Sequence, residues 1–331
     1  MIVNSDDYHI WKIPANSLEK TRDGSKGEIV FTAQTLTYNT VIGPDSKWIA
    51  AVEYDSVDAQ KNRGRLVSLD DGTQYPLDHK GRVTGIGFDK ESKYAITTGS
   101  NGLISFWDVK SGKENAELKL DNSKSTYSLA VSPIDTIVTT GLSNSIKIWD
   151  YKTHTQLDEL KQPGDIVSLA FSSDGKWLAS GSSEGTIILW KVENKTITQV
   201  GYPLQLEGRP QVLAFSPDDK WLAGGGSSGF AYLWNTSTSE EMARIPHSDT
   251  VTSVSFSLDG SQLFTVSRKV VRIWDVKSIH LVPTNDLVSF ACSHLISNLS
   301  KSAWTLFFRD EGYRPICPNL PEPELLGHQD N

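Results

Sequence analysis

The sequence predicts an all-β fold, a propeller of about seven four-stranded blades with the first incomplete, followed by a short helical C-terminal extension. Two observations carry this. A unit of about 40 residues repeats along the chain, and turn-forming residues fall at the same places in every unit. A first arm reads IGPDSKWIAAV at 42–52, FDKESKYAITT at 88–98 and VSPIDTIVTTG at 131–141, and recurs at 171–181, 215–225 and 256–266. A second arm follows each time from the second onward, FWDVKSG at 106–112 and IWDYKTH at 148–154, then again at 189–195, 233–239 and 273–279. The steps from Trp107 to Trp149, Trp190, Trp234 and Trp274 are 42, 41, 44 and 40 residues.

The local chemistry explains why the unit is all strand. Ser-Ser-Asp-Gly at 172–175 and Ser-Pro-Asp-Asp at 216–219 are turn sequences that join two short apolar runs into hairpins. A second hairpin turn follows at 183–186, with a counterpart at 100–103. Between turns the residues alternate or are fully apolar, as in Ile187-Ile188-Leu189-Trp190, which suits buried strands. One blade has two faces to bury and cannot bury both alone, so the units must stack.

Ten tryptophans invite the idea of an aromatic ligand cage. The register argues otherwise. Trp11, Trp107, Trp149, Trp190, Trp234 and Trp274 hold one repeat position, and Trp48, Trp177 and Trp221 hold another, leaving only Trp304 outside the pattern. Packing between blades explains them.

These repeats resemble the WD40 family, whose units end in Trp-Asp and whose blades most often number seven. The resemblance covers residues 1–283. The family often ties a blade with a His, a Ser or Thr, an Asp and the Trp. His79 and His247 stand 28 and 27 residues before Trp107 and Trp274, in matching register. The turn Asp is absent from both, with Asn101 near its place in one and Arg268-Lys269 in the other, so the network is expected to be partial.

Counting second arms gives seven, at Trp11, near Leu69, and at Trp107, Trp149, Trp190, Trp234 and Trp274. Aligning Trp11 with Trp149 places Val3 opposite Gly141, so the first blade lacks its first strand and much of its second. The expectation is that the domain starts upstream of Met1 in a longer protein; a short native chain with one incomplete blade is the alternative. Residues 284–331 form the expected extension. Leu287, Ala291 and Leu295, with Val288 and Cys292, fall at helical spacings, and Ser300 is an N-cap for a second short helix. The tail resembles the extension that follows WD40 repeats in bacterial STAND-type signalling proteins. The matching residues are Asn298-Leu299-Ser300, Trp304, and Tyr313-Arg314-Pro315 leading to Cys317-Pro318-Asn319-Leu320-Pro321. That resemblance implies an effector and an ATPase switch upstream, since this chain has no G-x-x-x-x-G-K-[ST] loop.

A formal net charge of −8 argues against nucleic acid or an anionic membrane as the main partner. No run approaches the length of an apolar span, and Cys292 and Cys317 are too few for a disulfide framework, which points to the cytoplasm. Two G-x-S-x-G matches, around Ser183 and Ser227, share one repeat position in a strand-to-strand turn, where a nucleophile elbow would need a strand-to-helix turn. The turn carboxylates Asp45, Asp174, Asp218 and Asp259 recur likewise and are explained by bonds to turn amides. The seven histidines form no metal-like pair, so neither metal nor cofactor is expected.

Recognition remains. The residues just before each inner strand, Leu36, Arg82, Ser125, Asp165, Arg209 and Thr250, are expected to line one face, with Arg82 and Arg209 the strongest candidates for partner contacts. The sequence therefore reads as a non-enzymatic protein-binding scaffold or sensor module. Two alternatives stay open: a propeller hydrolase or isomerase working in the central channel, and a truncated gene fragment with no independent role.

Overall fold

The computed structural model describes the backbone of residues 2–4, 9–12, 28–32 and 37–39, and backbone and side chains of 40–53, 63–120, 125–267 and 270–276. All regular structure among them is β. Strands β1 (Ile2–Asn4), β2 (His9–Lys12) and β3 (Glu28–Thr32) form a three-stranded sheet, with Trp11 on β2. Blade 1 comprises β4 (Thr37–Ile42), β5 (Trp48–Glu53), β6 (Arg63–Ser68) and β7 (Gln74–Leu77). Blade 2 comprises β8 (Val83–Phe88), β9 (Tyr94–Gly99), β10 (Leu103–Asp108) and β11 (Glu114–Lys119).

The next six strands make one sheet: β12 (Ser128–Val131), β13 (Ile137–Asp150), β14 (Thr155–Phe171), β15 (Trp177–Ser182), β16 (Thr186–Glu193) and β17 (Thr196–Gln205). It contains two blades. Strand β13 folds back at Asn144 (φ 62°), because Tyr151 N beyond its end donates to Thr136 O before its start at 2.9 Å. The first half of β14 pairs with β13 as the outer strand of blade 3. Its second half pairs with β15 as the inner strand of blade 4. Blade 5 follows with β18 (Pro210–Phe215), β19 (Trp221–Gly226), β20 (Phe230–Asn235) and β21 (Glu241–Pro246). Strands β22 (Val251–Phe256), β23 (Gln262–Ser267) and β24 (Val270–Asp275) make a final three-stranded sheet.

The all-β propeller architecture stands, but two details of the sequence expectation are corrected. Five four-stranded blades are present among the described residues, not about seven, and no helix occurs among them. The miscount has a physical cause. A Trp-bearing arm marks only the hairpin of the second and third strands, whereas a blade also needs an inner and an outer strand paired to it. The arms at Trp11 and Trp274 each sit in three-stranded sheets. The expected extension, 284–331, lies outside the described residues.

Each hydrophobic core lies between two successive sheets. Leu66 and Leu77 of blade 1 meet Ile86 and Trp107 of blade 2. Ile104 and Leu118 of blade 2 meet Val138 and Trp149 of blade 3. Ile146 and Leu160 of blade 3 meet Leu178 and Trp190 of blade 4, and Leu189 and Leu204 of blade 4 meet Leu222 and Trp234 of blade 5. Trp107, Trp149, Trp190 and Trp234 are all buried, so this position is core, as its register implied. Emptying one such site costs about 3–5 kcal/mol for a tryptophan truncated to alanine.

The turns between the first two strands of blades 4 and 5 and of the final sheet follow one chemical pattern. Ser172 Oγ donates to Asp174 Oδ1 (2.8 Å) and accepts Trp177 N (2.9 Å), while Asp174 Oδ1 accepts Lys176 N (2.9 Å). Ser216 with Asp218, and Ser257 with Asp259, repeat the arrangement. Neighbouring turns are also tied together. The Asp219 carboxylate of blade 5 accepts Ser173 N (2.7 Å) and Asp174 N (2.9 Å) of blade 4, and Asp45 N donates to Ser92 Oγ across blades 1 and 2 (3.0 Å).

The turns between the third and fourth strands use the Trp-Asp aspartate. Asp108 Oδ1 accepts Ser111 N (3.0 Å), Asp150 Oδ1 accepts Lys152 N (2.9 Å), and Asn235 Oδ1 does the same for Ser237 N (2.9 Å). Blade 4 has Lys191 at that position and no such acceptor. Its turn is instead a hairpin with two successive left-handed residues, Asn194 (φ 49°) and Lys195 (φ 65°). This geometry brings Lys195 Nζ to Asp150 Oδ2 of blade 3 at 2.5 Å and to Thr136 Oγ1 at 3.1 Å. Burial works against the Asp150 charge, but Lys195, Thr136 and the turn amides outweigh it and hold the carboxyl at about 2.

Lys195→Met should therefore destabilise the fold by about 1–2 kcal/mol in urea unfolding. A fully buried pair would lose more, but Lys195 is partly solvated and Asp150 keeps its amide donors. The Asp150 carboxyl lies below its unfolded value of 3.8. Its contribution is therefore complete above about pH 4 and disappears as pH falls toward 2. That acid-dependent part should shrink in Lys195→Met; an unchanged stability profile between pH 6 and 2 would refute the role given to the pair.

Candidate protein-interaction face

At one end of blades 2, 4 and 5, the segment entering the inner strand is clasped to the turn between the second and third strands of the same blade. Ser100 N donates to Arg82 O (2.8 Å) in blade 2, Ser183 N to Asp165 O (2.8 Å) in blade 4, and Ser227 N to Arg209 O (3.0 Å) in blade 5. The clasp is doubled in blades 4 and 5. Asp165 N donates to Ser183 Oγ (3.0 Å) and Arg209 N to Ser227 Oγ (2.9 Å). The two G-x-S-x-G serines are thus structural acceptors within strand-to-strand turns.

The six sequence candidates divide accordingly. Arg82, Asp165, Arg209 and Thr250 each directly precede the first ladder pair of their blade, so they share one register. Ser125 lies three residues before β12 and is half-buried. Leu36 lies outside the described residues. Arg209 is exposed, whereas Arg82 is half-buried with its Nε buried and without a hydrogen-bond partner. Asp165 Oδ1 accepts Ser143 Oγ of blade 3 at 2.6 Å, and Gly164 N donates to Asn144 Oδ1 at 2.9 Å, so adjacent blades are joined at this end. A hydroxyl chain does the same between blades 2 and 3, with Thr84 Oγ1 and Thr126 Oγ1 2.8 Å apart and Thr126 Oγ1 donating to Gly99 O (3.1 Å).

Beneath this face lies the tie expected to be partial. In blade 2 it is continuous. Trp107 Nε1 donates to Thr97 Oγ1 (2.8 Å), Thr97 Oγ1 donates to His79 Nδ1 (3.0 Å), and His79 Nε2 donates to Asn101 Oδ1 (3.2 Å). Asn101 supplies the oxygen that the family's aspartate would provide, and also accepts Leu103 N (3.2 Å) within the turn. Burial pushes the His79 pKa down, which suits a ring that serves as a neutral relay between a donor and an acceptor. The final sheet keeps part of the pattern. His247 Nε2 lies 2.7 Å from Thr265 Oγ1, and Trp274 Nε1 donates to the same oxygen (2.9 Å).

Blade 4 carries the tie with a glutamine in place of histidine. Gln162 occupies the His position. Its Oε1 accepts Ser180 Oγ (2.5 Å), and its Nε2 donates to Thr186 O (3.0 Å), while Trp190 Nε1 donates to Ser180 Oγ (2.7 Å). The signal was in the spacing, since Gln162 precedes Trp190 by the same 28 residues that separate His79 from Trp107. Blade 3 has no counterpart at Trp149, whose Nε1 is buried without a partner. Among the described residues no group of three or more His, Cys, Asp or Glu side chains is arranged to hold a metal ion, and no helix is long and apolar enough to cross a membrane.

Thr97→Val should cost about 2–3 kcal/mol in denaturant unfolding, because it strands the Trp107 N–H and the His79 Nδ1 together in a buried site. Thr140 is equally buried, yet its hydroxyl has no partner. Thr140→Val should accordingly be neutral or stabilising. Equal losses at the two positions would mean that the hydroxyl network contributes nothing.

Residues 72–108, 154–191, 210–235 and 240–275 match the family model described as WD domain, G-beta repeat. Among curated proteins, the chain is similar to the Protein LST8 homolog of Dictyostelium discoideum, 38% identical over 116 residues, 34% of this chain and 38% of that protein. It is also similar to the Target of rapamycin complex subunit LST8 of Saccharomyces cerevisiae, 32% identical over 121 residues, 36% of this chain and 39% of the relative. A third is the Target of rapamycin complex subunit wat1 of Schizosaccharomyces pombe, 25% identical over 160 residues, 46% of this chain and 48% of the relative. The chain thus spans less than half the length of each of these relatives. Matched repeats, blade architecture and the tryptophan ties agree: the chain carries WD40-type repeats, similar to those of that family model.

Proposed function

We propose that the chain is a non-catalytic protein-interaction scaffold. The proposed surface is the blade end that carries Arg82, Asp165, Arg209 and Thr250, together with Ser125. The observation behind this reading is that the backbone at Arg82, Asp165 and Arg209 is clasped by the turns. Varied side chains are thereby held on a rigid frame, and such a surface binds with little backbone rearrangement. Two of the relatives are named as subunits of a complex, which favours a role within an assembly. The overall charge of −8 favours protein over nucleic acid as the partner.

Within this reading, the sensor role of a STAND-type signalling protein rests on the sequence of the tail, from Asn298-Leu299-Ser300 through Cys317-Pro318-Asn319-Leu320-Pro321. The cytoplasm is the setting that the two cysteines favour.

The test is affinity purification of the full chain, wild type against Arg82→Glu/Arg209→Glu, with thermal unfolding of both. A stoichiometric partner recovered by the wild type should be lost from the double variant while the unfolding temperature stays the same. Equal recovery by both would show that binding uses another surface.

A further inference from the structure

Blade 4 differs from its neighbours along its outer edge. Strand β17 spans ten residues where β11 and β21 span six. The ladder to β16 pairs Ile187 with Leu204 and Leu189 with Val200, so Gly201-Tyr202-Pro203 bulge out of register. The bulge turns at Gly201 (φ 67°), and a methyl group there would stand 3.1 Å from Ser239 Oγ of blade 5. It therefore abuts the turn that precedes β21. Tyr202 is 91% exposed, so its ring contributes nothing to the blade core.

Between this bulge and blade 5 lies a cavity of about 410 Å³ that opens to solvent. Leu204 and Trp234, both buried, form its floor. Tyr202 and Pro203 form one wall, and Glu241 and Arg244 stand on the other. The volume suits one or two side chains of an extended peptide and is small for a cofactor.

The electrostatics select the occupant. The Arg244 guanidinium is already engaged. It pairs with Glu241 and Glu207 and packs over the Tyr232 ring, 4.9 Å from its centroid. Those carboxylates push its pKa up, with Glu241 the largest cause. Glu240 adds a third carboxylate beside the cavity, its Oε2 accepting Thr238 Oγ1 (3.0 Å). The cavity lining itself carries one charge of each sign, Arg244 and Glu241, and the neighbouring Glu207 and Glu240 carboxylates make its surroundings negative, while an exposed tyrosine face attracts cations.

We propose that this cleft between blades 4 and 5 is a docking site for an extended basic segment of a partner protein. An arginine of that segment lies across Tyr202 and faces the carboxylates on the blade 5 side. The site is on the outer edge of the blades and is independent of the face around Arg82 and Arg209.

The test is fluorescence anisotropy of the full chain with fluorescein-labelled Gly-Arg-Pro-Arg-Gly and a matched Gly-Glu-Pro-Glu-Gly. The arginine peptide should bind saturably and more weakly as salt rises, and the glutamate peptide should not bind. Tyr202→Ala should weaken binding about fivefold, and Tyr202→Phe, which keeps the ring face, should bind within about twofold of wild type. Glu241→Gln should weaken binding at low salt and differ little from wild type at high salt. Unchanged thermal unfolding of Tyr202→Ala separates loss of the site from loss of the fold. Equal binding of the two peptides, wild-type affinity in Tyr202→Ala, or no saturation at millimolar peptide would each overturn the proposal.

Discussion

A blade is a small sheet with two apolar faces, and the only surface available to cover either one is the sheet of the next repeat. Everything else in this structure depends on that constraint. The five hydrophobic clusters all lie between consecutive sheets, and no blade has a core of its own. Tryptophan is the residue that spans the gap. Trp107, Trp149, Trp190 and Trp234 each lie buried in the cluster shared with the preceding blade. A bulky, stiff side chain at one position per repeat sets the spacing of successive sheets, which is why the register is kept so strictly along the chain.

Apolar packing leaves the ends of the blades to be held by polar chemistry. At one end, serine hydroxyls and turn carboxylates close the turns of blades 4 and 5, and Asp219, Ser92 and Lys195 carry the connection to a neighbouring blade. At the other, the turn serines clasp the strand entries, and the ties below them join loop, second strand and third strand through the tryptophan nitrogen. The same hydrogen bonds that remove buried unpaired groups also immobilise the surface. A rigid interaction face follows directly from satisfying buried polar atoms.

Departures from the repeat are therefore informative. Where Lys191 replaces the Trp-Asp aspartate, the turn changes type and sends Lys195 across to Asp150. Where two extra residues enter the outer strand of blade 4, a cleft appears beside blade 5 while Leu204 stays buried in the core. Outer strands tolerate such additions because one of their edges faces solvent, so new surfaces can arise there without cost to the core.

Periodicity alone determined the strand character of the described residues, the turn positions and the burial of Trp107, Trp149, Trp190 and Trp234. These are local properties: a Ser-x-Asp turn closes through its own side chains, and apolar runs between such turns have no option but to pair. It also determined that Ser183, Ser227 and the turn aspartates are repeat grammar, because a catalytic group would break the register. Tertiary structure decided the rest. The number of complete blades depends on inner and outer strands whose sequences are weakly marked; β13 covers two strands of blade 3, and β14 runs from blade 3 into blade 4 without a break. Gln162 became visible as a histidine substitute, and Asn101 as an aspartate substitute, only when their oxygens were seen to accept the right donors. The cleft at Tyr202 joins residues from two blades, and their proximity follows from how sheets stack, a long-range property that no local pattern encodes.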